Sequence, residues 1–134
     1  MYAIDLQTHS RTEFIEITDQ VRAALAKSGL TDGAILVFVP HTTAGITINE
    51  NADPDVVQDI LSFLEKTIPF EGDFLHGEGN SAAHIKSSYF GTSQHVIVEG
   101  GKLKLGTWQG IYFCEFDGPR RRQFWVQPLP VAHG

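Results

Sequence analysis

The chain has 134 residues, 42% of them hydrophobic, a net charge of -6 and one cysteine, Cys114. That length suits one domain spanning residues 1–134, with a core large enough to need neither disulfide nor structural metal, and a lone cysteine is compatible with a reducing cytoplasm. No stretch approaches the roughly 20 apolar residues of a membrane span, the N-terminus lacks a secretory pattern, and the acidic balance argues against general nucleic-acid affinity.

The first 18 residues alternate, with Tyr2, Ile4 and Leu6 and then Ile15 and Ile17 on one face at period two, and predict an antiparallel hairpin. Thr18 or Asp19 is placed to cap a helix carrying Val21, Ala24 and Leu25 on one side, with Gly29 to end it. GAILVFVP (33–40) is a continuous apolar run, the pattern of a strand covered on both faces. TTAGITINE supplies the next strand. Asp53-Pro54-Asp55 opens a second helix, because Asp accepts from free amides and Pro is pre-set for the first turn; Val57, Ile60, Leu61 and Leu64 predict its buried stripe.

Residues 70–80 form a Gly- and acid-rich loop of the length that is often functional. Asn80 or Ser81 can cap a third helix ending near Gly91. HVIVE, GIYFCEF and RQFWVQ are late strands, linked by turns at EGGK (99–102) and DGPRR (117–121). Seven or eight strands with two or three helices, not regularly alternating, predict an α+β fold with a mainly antiparallel β-sandwich.

Charge is uneven: residues 1–85 hold 13 acids against 4 Lys or Arg, whereas residues 86–134 hold 3 acids against 6, so cation and anion sites can coexist. His41 follows Pro40 at the end of the most apolar strand and either ligates a metal or moves protons, or bonds a neighbouring turn. His76 and His84 reach one ion if the loop folds back, although their spacing matches no standard zinc signature; His41 would complete three nitrogens and leave an open position. Glu50 is either a general base or histidine partner, or a solvated loop acid. Alternation along the strand lets at most one or two of Arg120, Arg121 and Arg122 face one site. An arginine fork suits phosphate, and Lys86 with the first amides of the third helix adds to an anion site; the alternative for the triplet is a charged strand start or a subunit salt bridge. Trp108 reads as packing or a subunit contact, and Cys114, inside an apolar strand, as a buried inert thiol.

PHTTAGITINENADPDV, HGEGNSAAHIKSS and LGTWQGIYFCEFDGPR, in this order, resemble the YjbQ family, also called the UPF0047 or secondary thiamine-phosphate synthase family. The resemblance covers nearly the whole chain. It implies a homotrimeric β-sandwich with a pocket near the subunit interface, a divalent metal at His41, His76 and His84, and a weak thiamine-phosphate synthase activity. That reaction joins a pyrimidine methyl diphosphate to a thiazole phosphate and expels pyrophosphate, so it calls for magnesium-binding oxygens, which Glu50, Asp53 and Glu78 can supply, and phosphate clamps. The resulting expectation is a phosphorylated metabolite bound by Asn80, Lys86 and Arg120, with His41, Glu50 and His84 catalytic. Three imidazoles favour zinc instead, which leaves a zinc-dependent hydrolase of a small metabolite, or a non-catalytic metal- or metabolite-binding trimer, as alternatives.

Overall fold

A computed structural model describes residues 1–132. The chain runs β1 (Tyr2–Gln7), β2 (Glu13–Glu16), α1 (Thr18–Ser28), β3 (Gly33–Phe38), β4 (Ala44–Glu50), α2 (Pro54–Thr67), α3 (Ser81–Phe90), β5 (Ser93–Glu99), β6 (Lys102–Leu103), β7 (Gln109–Glu115) and β8 (Arg121–Pro130). The α+β class expected from the sequence is the one observed. Two antiparallel sheets form: five strands in the order β1-β8-β3-β5-β6, and three in the order β2-β7-β4.

The main core lies between the sheets. Ile35, Val37, Val96, Phe124 and Val126 from the larger sheet meet Ile46, Ile111 and Phe113 from the smaller, with Val21 and Leu25 of α1 filling one side. These residues recur at every second position of their strands, so each strand turns one apolar face inward. A second cluster covers the other face of the small sheet, where Tyr112, Cys114 and Phe116 meet Ala83 and Phe90 of α3 and Val57 and Leu64 of α2.

The alternation of β1 and β2 was not a hairpin. β1 pairs with β8 in one sheet and β2 with β7 in the other, so Leu6 and Ile15 pack against the same core from different sheets. β3 likewise is covered on one face only: Ile35 and Val37 are buried, while Ala34, Leu36 and Phe38 alternate outward and stay partly exposed. Alongside them Phe38 stacks on Trp125 at 5.6 Å between ring centroids, and Ile97 is 65% exposed. Trp108 is 62% exposed rather than packed in the chain.

The helix ends follow the sequence signals in part. Neither Thr18 nor Asp19 caps α1: Ile17 holds the cap position, Thr18 and Asp19 lie inside the first turn, and no side chain bonds the free amides. Gly29 ends α1 at φ +68, a left-handed conformation that glycine adopts without a Cβ penalty, and the Asp53 carboxylate accepts from the Asp55 amide at 2.9 Å to cap α2. Asn80 stands at the cap position of α3, but its side chain makes no cap bond. The predicted stripe of α2 does face the small sheet, yet no α2 residue is buried. Its inner side is only half covered by this chain.

α3 is held close to β4. The Ser87 hydroxyl donates to the Ala44 carbonyl at 2.6 Å, the Ile46 amide donates to the Gly91 carbonyl at 3.2 Å, and a Cβ on Gly45 would lie 2.9 Å from the Gly91 oxygen and 3.1 Å from the Phe90 Cβ. Gly45→Val is therefore expected to cost roughly 1–3 kcal/mol by overpacking, measured as a lower urea midpoint at unchanged slope.

Candidate functional site

The turn after α2 brings the loop back across the start of α3. The Gly79 amide donates to the His76 carbonyl at 3.1 Å, and the His76 and His84 rings meet edge to face with centroids 5.3 Å apart. The two histidines wall a hollow of about 530 Å³ with Asp73, Phe74, Leu75, Ser81 and Ile85. The first amides of α3 have no intrahelical acceptor, which makes this helix end favourable for anions.

Asn80 lies between this hollow and a buried polar knot. It is 7% exposed; its amide Nδ2 donates to Asp117 Oδ2 at 2.9 Å, and its Oδ1 has no partner among the described residues. Arg120 folds onto the same carboxylate, donating from Nη2 at 2.9 Å and from Nε to the Asp117 carbonyl at 2.7 Å. Asp117 thus joins Asn80 and Arg120, and it is in turn fixed by its amide, which donates to Glu115 Oε2 at 3.0 Å.

At the centre of the knot, Arg122 grips fully buried Glu115 with two donors, Nε at 2.8 Å and Nη2 at 2.5 Å. Nη2 also donates to Thr43 Oγ1 at 2.9 Å, and Thr8 Oγ1 donates to Glu115 Oε1 at 2.7 Å. The pair is bidentate, and Thr8, Thr43 and the Asp117 amide bond to it, the condition under which a buried ion pair offsets its desolvation. The Gly118-Pro119 peptide bond that carries the chain from β7 to β8 is cis.

His41 borders this knot. Its Nε2 lies 3.0 Å from the Gln123 amide and 3.1 Å from the Gln123 carbonyl. In one neutral tautomer Nε2 accepts from the amide, and in the other it donates to the carbonyl and leaves the Nδ1 lone pair free. Desolvation, followed by the nearby Arg122 charge, pulls its pKa below the ordinary 6.5, so the ring is neutral at pH 7. Its imidazole proton resonances are expected to titrate with a midpoint under 6.5; by the same linkage, stability conferred by neutral His41 is present above that pH and lost as pH falls through the depressed value. A midpoint above 6.5 in an NMR titration would contradict this environment.

The remaining candidates point elsewhere. Lys86 is two residues beyond His84 and so lies on a different side of α3; its side chain is 2% exposed, with Nζ 3.7 Å from Glu65 Oε2. Burial lowers its pKa, and Glu65 partly restores it. Lys86 therefore joins α3 to α2 instead of facing the hollow. Glu50 ends β4, about 20 Å along the strand from the Ala44 end near His41, and its carbonyl accepts from the Tyr112 hydroxyl at 3.0 Å. Among the described residues of a single chain, no three His, Cys, Asp or Glu side chains are grouped to hold a metal. His41, His76 and His84 thus do not converge within one chain.

Sequence reasoning missed Glu115, Asp117, Thr8 and Thr43, and left Arg122 undistinguished within the triplet. A signal was present: Glu115 shares a strand face with Ile111 and Phe113, and Arg122 with Phe124 and Val126. A charge at a core-facing position demands a charge opposite. Cys114 is fully buried, with its thiol pKa raised well above 9.0 by desolvation, as an inert core residue should be.

Residues 2–130 match the family model described as UPF0047 protein YjbQ-like. The chain belongs to the YjbQ/UPF0047 family. It is 58% identical to the UPF0047 protein YugU of Bacillus subtilis, over 94% of this chain and 96% of that one, and 54% identical to a UPF0047 protein of Methanocaldococcus jannaschii, over 95% and 92%. A YjbQ/UPF0047 crystal structure from Clostridium acetobutylicum superposes with a TM-score of 0.93 at 59% identity, covering 95% of this chain and 98% of that one. A hypothetical protein from Aeropyrum pernix gives 0.92 at 35% identity, covering 97% and 98%. The YjbQ-family fold is shared over nearly the whole chain, and no described helix of this member is long and apolar enough to cross a membrane.

Proposed function

We propose that this YjbQ-family chain acts on small phosphorylated metabolites, with a weak thiamine-phosphate synthase activity, at the hollow walled by His76 and His84. The observation that carries this reading is the contact of the two imidazoles, 5.3 Å apart by ring centroids, at the start of α3. Imidazole exchanges protons near neutral pH, and the free amides of the helix start favour the negative charge that builds as pyrophosphate departs. Asn80, which precedes Ser81 of the hollow, and Arg120, joined to it through Asp117, would supply polar contacts to substrate.

A divalent metal belongs to the same proposal. His76 and His84 fit two ligand positions, and His41 would supply a third nitrogen, through Nδ1, from another copy of the chain. Zinc suits imidazoles, whereas magnesium would accompany a diphosphate; when bound, either neutralises phosphate charge. Self-association as a homotrimer is supported by the outer face of the larger sheet, where Leu36, Phe38, Ile97 and Trp125 have no covering layer among the described residues of their own chain. A cytoplasmic location completes the proposal, with the unpaired thiol of Cys114 in its favour.

The test is formation of thiamine phosphate from the two precursors by purified protein, followed by chromatography. Product should scale with protein concentration and fall in a His76→Ala/His84→Ala double variant. Product formation that ignores the double substitution places the chemistry elsewhere.

A further inference from the structure

Beside the histidine hollow runs a groove of about 590 Å³ lined by Phe63, Leu64, Ile68, Phe74, Ile85 and Tyr89, among others, with no charged side chain in its wall. Phe74 and Ile85 line both spaces, so the two adjoin. Phe63 and Tyr89 are 67% and 79% exposed. Single exposed apolar residues need no explanation; aromatic side chains converging on a concavity do, because water gains nothing there and a ligand does. The volume lies within the range of sites for small organic ligands, roughly 300–1,000 Å³. The carboxylate and imidazole groups at the junction are at the other end: Asp73, His76 and His84.

We propose that the groove between α2 and α3 binds the apolar, ring-bearing body of a small amphiphilic ligand whose phosphate head reaches the His76–His84 hollow. The groove takes the body because its wall is aromatic and aliphatic. The histidines and the amides of α3 take the head, against the repulsion of the Asp73 carboxylate that lines the same hollow. Placement of the head rests on the function proposed above; occupation of the groove does not.

Calorimetric titrations with 1-naphthyl phosphate, inorganic phosphate and 1-naphthol test both parts. Naphthyl phosphate should bind about tenfold or more tighter than inorganic phosphate, through burial of the ring. A Phe63→Ser/Tyr89→Ser variant, altered only at exposed side chains, should lose that excess and keep its affinity for inorganic phosphate. His84→Ala should weaken both phosphates and leave naphthol unchanged. Equal affinities for the two phosphates in the unaltered protein would overturn the groove proposal. Naphthol binding with no effect of His84→Ala on either phosphate keeps the groove and overturns the placement of the head, and with it the proposed function. If the Phe63/Tyr89 variant changes the sedimenting mass and leaves naphthyl phosphate affinity intact, the groove is a contact between copies and the proposal fails.

Discussion

Glu115→Ala should lower stability by about 3–5 kcal/mol, because it strands the Arg122 guanidinium in the core without a counter-charge. Arg122 has a side-chain exposure of 5%, and Glu115 has none. Neither group can turn to water without opening the corner where β7 passes to β8. At the entropy of unfolding typical of a domain this size, that loss lowers Tm by about 10 °C or more. Thr8 and the Asp117 amide would also lose the acceptor that they share. The informative companion is Glu115→Leu combined with Arg122→Met, which removes both charges and should cost less than the single substitution, since an apolar pair leaves no buried ion. A single-variant loss below about 1 kcal/mol would show that the pair is solvated.

The second large effect concerns chemistry. If His76 and His84 transfer protons or hold the phosphate, replacing both by Ala should reduce thiamine phosphate formation by about 10²–10⁴-fold, the range for removal of general acid or base assistance. His76 is exposed and His84 partly so, so far-ultraviolet circular dichroism and Tm should stay near the unaltered values. Glu50→Ala is the matched control. It removes an acid that lies at the opposite end of β4 from His41, and kcat should remain within about threefold of the unaltered value. A larger loss in Glu50→Ala than in the histidine variant would move the active centre to that end of the small sheet.

The strands were legible because burial on one face imposes alternation. Val96 and Val98, or Phe124 and Val126, declare it directly. Alternation does not name a partner, so Tyr2, Ile4 and Leu6 looked like half of a hairpin with Ile15 when each run crosses the core in a separate sheet. In the same way, the spacing of Val57, Ile60, Leu61 and Leu64 shows that α2 has an apolar side, but carries nothing about how much of it this chain covers. The site was legible in part. Loop length and histidine spacing brought His76 and His84 into consideration, and they do meet. Lys86, a cation close to the first amides of α3, suggests an anion clamp in the sequence, and only the packing of α3 on α2 shows its amine turned toward Glu65.

α2 has a consequence for motion. Its apolar stripe is half covered and none of its residues is buried, so the free energy needed to lift it is a fraction of what global unfolding requires. β4, β7 and the core between the sheets keep their pairing when it moves. The helix that carries Phe63 and Leu64 is thus expected to open more readily than the sheets, read as weaker amide hydrogen-exchange protection over Pro54–Thr67 than over β4 and β7.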